Sequence, residues 1–453
     1  MKILLLSVLF TFVFFHPEIS IAKKTVTPET ALRSYLNNGD SSFKWEVTER
    51  IKGDGVTFLK VLYTSQTWQT IQWKHELMIM VPDELQFADA MLFITGGSNK
   101  NGLPNGHKIT DDLPQEFARM AKLNKSVVAL LWQVPNQPLY DDLVEDALIS
   151  YTLHNYQKDH DFNWPLLFPM TKSAVRAMDI VQEFSKKELS KSVKGFVVSG
   201  ASKRGWTTWL TGANDKRVVA IGPMVIDMLN MPINIPYHKV VWGDYSIEIQ
   251  DYVKLGLAQQ FGDGGKSNDL VQMIDPYSYR KTLTMPKMLF MGTNDPYWPV
   301  DAVKHYIDDI PGNNHICYTA NAGHDLGDKK KAFATLSAFF GTTVSKGKYP
   351  ICDYSIAESE GKITMTVNTT ADLLLDASIY STISPNQEFR DKKWSSVGLN
   401  AGKKPVVQVV VDYPSSGYKA FYVELRYKAP FGGDFTQCTR MFVASDKKVL
   451  LKQ

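Results

Sequence analysis

Cysteine is scarce, with three in 453 residues, so no dense disulfide framework can hold this fold and stability must come from buried apolar side chains. Long apolar runs are missing too. Beyond the first few residues no segment reaches the roughly eighteen that a membrane-spanning helix needs. An excess of one charge is also absent, since 50 Lys and Arg stand against 47 Asp and Glu for a net charge of +3. Without a basic run or a glycine-rich phosphate loop, nucleic acid is not expected as a partner and no cofactor is indicated. His, Asp and Glu nowhere cluster at ligand spacing, so no metal site is expected. Internal repeats and low-complexity segments do not occur.

What the chain does have is apolar substance: 44% of its residues are hydrophobic and 12% aromatic, enough for buried cores, and its length suggests two domains. Residues 1–22 read as a secretory leader, with Lys2, a mostly apolar run from Ile3 to Phe15, and Ser20-Ile21-Ala22 as the small-residue site, so cleavage is expected after Ala22. The mature chain is then an exported protein with no stable membrane span. In that setting Cys352 and Cys438 are the candidate disulfide, while Cys317, in a short strand-like run, is expected as a buried free thiol.

A capped helix start at Thr27-Pro28-Glu29 is followed by strands at Lys44 to Arg50, Thr57 to Ser65 and Glu76 to Val81. Strands and helices then alternate: Ala90 to Thr95, helix Leu113 to Leu123, strand Val127 to Val134, helix Thr171 to Leu189, strand Val218 to Ile226, strand Lys287 to Met291, strand His315 to Thr319 and helix Lys329 to Phe340. That alternation predicts a mostly parallel sheet wound with helices over 23–340. Two long connections, 135–170 and 228–286, interrupt it as cap insertions. The first carries Asp141, Asp142, Glu145 and Asp146, which read as a solvated helix start. From about residue 345 to 453 the pattern changes to short alternating strands, the signature of an Ig- or fibronectin-like β-sandwich.

The chemistry gathers where strands end. Gly200-Ala201-Ser202-Lys203-Arg204-Gly205 lies between an apolar strand and the helical spacing of Trp206, Trp209 and Leu210, which is the setting of a nucleophile elbow. It departs from G-x-S-x-G, because Arg204 stands where the second glycine belongs and Gly205 comes one residue late. The N–H of Lys203 is one expected oxyanion donor. Gly97 or Ser98, past the Ala90 to Thr95 strand, supplies the other. Asp295 and His324 also follow strands, and the order Ser202, Asp295, His324 is that of α/β-hydrolases. Asp227 and Asp301 are rival acids. Tyr297 and Trp298, beside Asp295, are expected to wall the cleft.

The chain after the leader resembles the PhoPQ-activated pathogenicity-related protein family, exported α/β-hydrolase-like proteins. Gly200-Ala201-Ser202-Lys203-Arg204-Gly205-Trp206 carries the resemblance, supported by Gly292-Thr293-Asn294-Asp295 and Gly323-His324-Asp325. It implies the α/β-hydrolase fold and a triad of Ser202, Asp295 and His324. The reading is therefore an exported serine hydrolase acting on a small acyl or peptide substrate. The layout of hydrolase plus β-domain also resembles exported aminopeptidase-like enzymes. The alternative is a catalytically silent hydrolase-fold protein that binds or signals in virulence.

Overall fold

The computed structural model describes residues 25–262, 268–359 and 361–452. The leader and the expected cleavage site at Ala22 lie outside them. The chain opens with α1 (Pro28–Leu36) and an antiparallel meander of β1 (Lys44–Lys52), β2 (Val56–Trp68) and β3 (Ile71–Pro82). After β4 (Ala90–Ile94) comes a tiny hairpin, β5 (Asn99–Lys100) and β6 (Leu103–Pro104), then α2 (Asp112–Asn124) and β7 (Val128–Leu131). The 135–170 connection, expected as a cap insertion, contains α3 (Glu145–Asp159) and leads into α4 (Leu167–Glu188). Next are β8 (Phe196–Ala201), α5 (Lys203–Asn214) and β9 (Val218–Met224).

The 228–286 connection is mainly short helices: α6 (Met231–Trp242), α7 (Gln250–Lys254), α8 (Leu257–Phe261) and α9 (Asp269–Ile274). Then follow β10 (Lys287–Gly292), β11 (Asn314–Thr319) and α10 (Lys330–Val344). The remainder is all strand: β12 (Cys352–Ser359), β13 (Lys362–Thr369), β14 (Leu374–Ser384), β15 (Ser395–Gly398), β16 (Val406–Asp412), β17 (Tyr418–Lys428), β18 (Asp434–Cys438) and β19 (Phe442–Ser445).

One long sheet runs β1-β2-β3-β7-β4-β8-β9-β10-β11-β18-β17-β14-β15. Its middle, from β7 to β11, is parallel. Those strands are buried on both faces, which is why they read as unbroken apolar runs. Along β4 the faces alternate: Leu92 and Ile94 join the core under α4 and α5, while Met91 and Phe93 join the core under α2 and α10. Helices on both faces of a mostly parallel sheet with an antiparallel entry are the α/β-hydrolase architecture.

Past β11 the sheet becomes antiparallel, joined through Ile316 opposite Cys438. A second sheet, β12-β13-β16, packs against it. Ile363, Met365 and Val367 of β13 and Val407, Val409 and Val411 of β16 meet Phe421, Val423 and Leu425 of β17 in a separate core. The C-terminal β-sandwich therefore shares one layer with the central sheet. The expected bridge between Cys352 and Cys438 is not made, and all three cysteines are free thiols. The two residues sit on strands of different sheets, β12 and β18. Burial holds both thiols protonated by raising their pKa values, as it does for Cys317, pushed up to about 12.

Candidate active site

Ser202 stands between the last residue of β8 and the first of α5 with φ 60° and ψ −124°. A non-glycine residue held at positive φ costs on the order of 1–3 kcal/mol and persists only where the surroundings enforce it. The Ser202 N–H donates to the Met224 carbonyl of β9 at 2.9 Å. Gly205 explains the shifted motif: a Cβ there would lie 2.7 Å from the Met224 carbonyl oxygen and 2.9 Å from Ile226. The glycine that lets helix meet sheet is thus needed one residue later than usual. Arg204 takes the vacated position, its Cβ 2.9 Å from where a Gly200 Cβ would stand.

His324 follows β11 and Asp295 follows β10, and the fold brings both to Ser202. His324 Nε2 lies 2.8 Å from Ser202 Oγ, and His324 Nδ1 lies 2.8 Å from Asp295 Oδ2. An ionised carboxylate can only accept, so Nδ1 carries the hydrogen and Nε2 is free to accept from the Ser202 hydroxyl. Asp295 is itself held by the Tyr297 N–H at 2.8 Å. The Tyr297 ring stacks on the His324 imidazole with centroids 4.1 Å apart. Gly292 lets the two loops touch, since a Cβ there would collide with the carbonyl oxygens of Ala322 and Gly323.

The rival acids are occupied elsewhere. Asp301 pairs with Lys304 at 2.7 Å and accepts from Tyr237 OH at 3.1 Å, all three buried. Asp227 accepts from Tyr306 OH at 2.6 Å. Burial, with Asp295 and Asp301 nearby, raises its pKa to about 7.

The N–H groups of Lys203, Gly97 and Ser98 donate to no acceptor among the described residues. Gly97 has φ 140°, and its carbonyl is taken by Gln137 Nε2 at 3.1 Å. Gln137 also donates to Glu145 Oε1 at 2.7 Å and accepts from the Glu145 N–H at 2.9 Å. The glycine loop is thereby tied to the start of α3.

That helix start is not the solvated one the sequence suggested. Asp141 and Asp142 are exposed, but Glu145 and Asp146 turn onto the elbow. Arg204 makes a forked contact with Glu145, 2.7 Å on the Nη1 side, and its Nε donates to the Val134 carbonyl at 2.7 Å. The guanidinium passes where any Gly96 side chain would be. Burial works to raise the Glu145 pKa, yet Arg204, Gln137 and Lys203 together hold it below the usual range. Lys203 Nζ meets Asp146 Oδ2 at 2.6 Å. An acidic helix start is ordinary; the only sequence hint of pairing was two consecutive bases directly after the candidate nucleophile.

Two asparagines beside the triad take partners that the sequence did not suggest. Asn294 Nδ2 donates to the carbonyls of Arg390 at 3.0 Å and Lys392 at 2.7 Å. Asn321 exchanges hydrogen bonds with the Trp394 backbone at 3.1 and 2.7 Å. Both partners lie in the loop between β14 and β15. Beside Ser202 opens a pocket with about 40 Å³ of cavity, about 490 Å³ when its open mouth is included, and with Tyr297 and Trp298 in its wall. No group of three or more His, Cys, Asp or Glu suited to a metal ion occurs among the described residues.

Comparison with known proteins adds a family. The sequence profile of the PhoPQ-activated pathogenicity-related proteins matches residues 32–391. Autocrine proliferation repressor protein A of Dictyostelium discoideum is 28% identical over 431 residues, spanning 88% of this chain and 86% of that protein. Acetyl xylan esterase 1 from a Thermoanaerobacterium species overlays with a TM-score of 0.46 at 13% identity, covering 69% of this chain and 92% of its own. An acylaminoacyl peptidase from Pyrococcus horikoshii overlays with a TM-score of 0.43 at 14% identity, covering 69% of this chain and 44% of its own. Overlays this distant carry nothing about substrate. The profile match, running from α1 to the β14–β15 loop and taking in Ser202, Asp295 and His324, is of another order: the chain belongs to the PhoPQ-activated pathogenicity-related protein family.

Proposed function

We propose that this protein is a serine hydrolase cleaving an ester or peptide bond. The observation that carries the reading is the unbroken hydrogen-bonded path from Ser202 Oγ through His324 to Asp295, set on an elbow whose positive φ presents the serine above a helix N-terminus. Ser202 Oγ attacks the acyl carbon while its proton passes to His324 Nε2. Asp295 fixes the imidazole tautomer and stabilises the imidazolium. The carbonyl oxygen, now an oxyanion, is received by the N–H of Lys203 and that of Gly97 or Ser98. His324 then protonates the leaving group, and water releases the acyl group from Ser202 by the reverse sequence. In the same reading 23–340 is the catalytic unit, 345–453 a β-domain, and the apolar leader directs export.

The test is kinetic, on an activated acyl ester. Ser202→Ala and His324→Ala should each lower kcat by roughly 10⁴- to 10⁶-fold, with the double variant hardly worse than either, because members of one relay act together. If Ser202→Ala keeps full activity the reading falls. If the native protein turns over nothing, the chain is a silent hydrolase fold that binds instead.

A further inference from the structure

Two clefts border the triad, one at Ser202 and the other at His324, and they differ in chemistry. The wider, about 2580 Å³ with its open mouth, starts at Ala201, His324 and Asp325 and runs between α2 and α10. The narrower has Ser202 but not His324 in its wall and is lined by Trp206, Met228, Met231, Ile235, Phe261 and Trp298. Most of that lining comes from the 228–286 insertion. Its charged side chains, Asp146 and Lys203, are bonded to each other at 2.6 Å. Asp146 also accepts from Tyr252 OH at 3.0 Å and Tyr297 OH at 3.3 Å. With three donors on the carboxylate and the carboxylate on the ammonium, neither charge is free for a ligand. A charged substituent entering here would be stripped of water and find no partner, which buried sites penalise heavily.

The leaving group must lie where His324 can protonate it, and His324 lines the wide cleft but not the narrow one. The narrow pocket is left for whatever is attached to the acyl carbon. We infer that this pocket binds an uncharged apolar substituent on the acyl carbon, a short alkyl chain or one aromatic ring, because its lining is apolar and its charged groups are paired. The inference rests on Ser202 being the nucleophile. The substituent can be a fatty acyl chain or an apolar amino-acid side chain, and substrates of both kinds separate them.

The experiment compares p-nitrophenyl acetate, butyrate, hexanoate and succinate, together with the p-nitroanilides of N-acetylated leucine, phenylalanine, lysine and glutamate, whose blocked amine leaves the side chain as the only possible charge. Burying each methylene favours the longer ester roughly fourfold, so kcat/KM should rise up to about 250-fold from acetate to hexanoate if all four added methylenes are buried. The succinate, equal in length to butyrate but charged, should be at least about tenfold slower than butyrate. If only anilides are cleaved, leucyl and phenylalanyl should lead lysyl and glutamyl by a similar margin, and the source is a peptide. Ile235→Trp, which fills the pocket, should cut the hexanoate-to-acetate ratio about tenfold or more. Should that variant misfold, the native chain-length series stands alone as the test. Ser202-dependent turnover that is fastest on acetate, or equal on succinate and butyrate, overturns the pocket assignment and spares the hydrolase reading. Turnover that survives Ser202→Ala overturns both.

Discussion

The two ends of the long sheet contribute to the site in different ways. Its parallel middle, β7 to β11, is buried on both faces and ends in the turns that carry Ser202, Asp295 and His324. The strands of its antiparallel end mix buried with exposed and half-buried residues, and among the described residues none of its side chains is hydrogen-bonded to His324. It contributes backbone instead: the carbonyls of Arg390, Lys392 and Trp394 hold Asn294, next to Asp295, and Asn321, three residues before His324. A parallel sheet gathers its strand ends at one edge, which suits it to assemble reacting groups. An antiparallel extension reaches that edge only through a loop, and so serves to fix the groups already there.

The largest effect expected from breaking this division is at the acid. Asp295→Asn should lower kcat roughly 10⁴-fold by favouring the wrong imidazole tautomer, whereas Asp227→Asn and Asp301→Asn should keep most activity. A crippling Asp227→Asn would reassign the acid to the end of β9.

Support from the β end should show as a smaller loss. Asn294→Ala or Asn321→Ala frees a loop without touching a reacting atom, so kcat should fall roughly 10- to 100-fold, the cost of a slight misplacement, while KM holds. A loss as deep as that of Asp295→Asn would mean that the β end does more than position. No loss at all would leave that loop a purely structural neighbour.

Much of this was legible in the chain because the parallel strands are short apolar runs bounded by glycines, and Gly200, Gly205 and Gly292 mark where backbones must touch. The C-terminal strands expected at 363–367, 374–379, 406–411 and 420–426 lie within β13, β14, β16 and β17, with clean alternation in β13 and β16, while that expected at 440–443 overlaps β19 only at its end. β15, with exposed serines, and β18, ending at buried Cys438, have no such pattern. The roles of Glu145, Asp146, Asn294 and Asn321 were not legible for a different reason. Each acts through a partner distant in sequence, Arg204, Lys203 or the 390–394 loop, and short polar residues in loops look alike until the fold brings those partners in.

The smallest effect is on stability. Asp227 keeps its proton up to about pH 7 in the folded chain, against 3.8 ordinarily. The native state therefore binds more protons than the unfolded one between those values, and its stability falls as pH rises through them. Asp227→Asn removes that dependence, so its Tm relative to the parent should rise from pH 4 to pH 7 and then level off. A gap that stays flat or shrinks over that range would mean that Asp227 is ionised when folded.

The central claim is that Ser202, at the end of the parallel strands, forms the covalent intermediate. A biotinylated fluorophosphonate, followed by digestion and mass spectrometry, tests it most directly. One adduct per chain on the peptide containing Ser202, lost in Ser202→Ala and slowed in His324→Ala, is the predicted result; an adduct on another residue, or labelling that persists in Ser202→Ala, would contradict it.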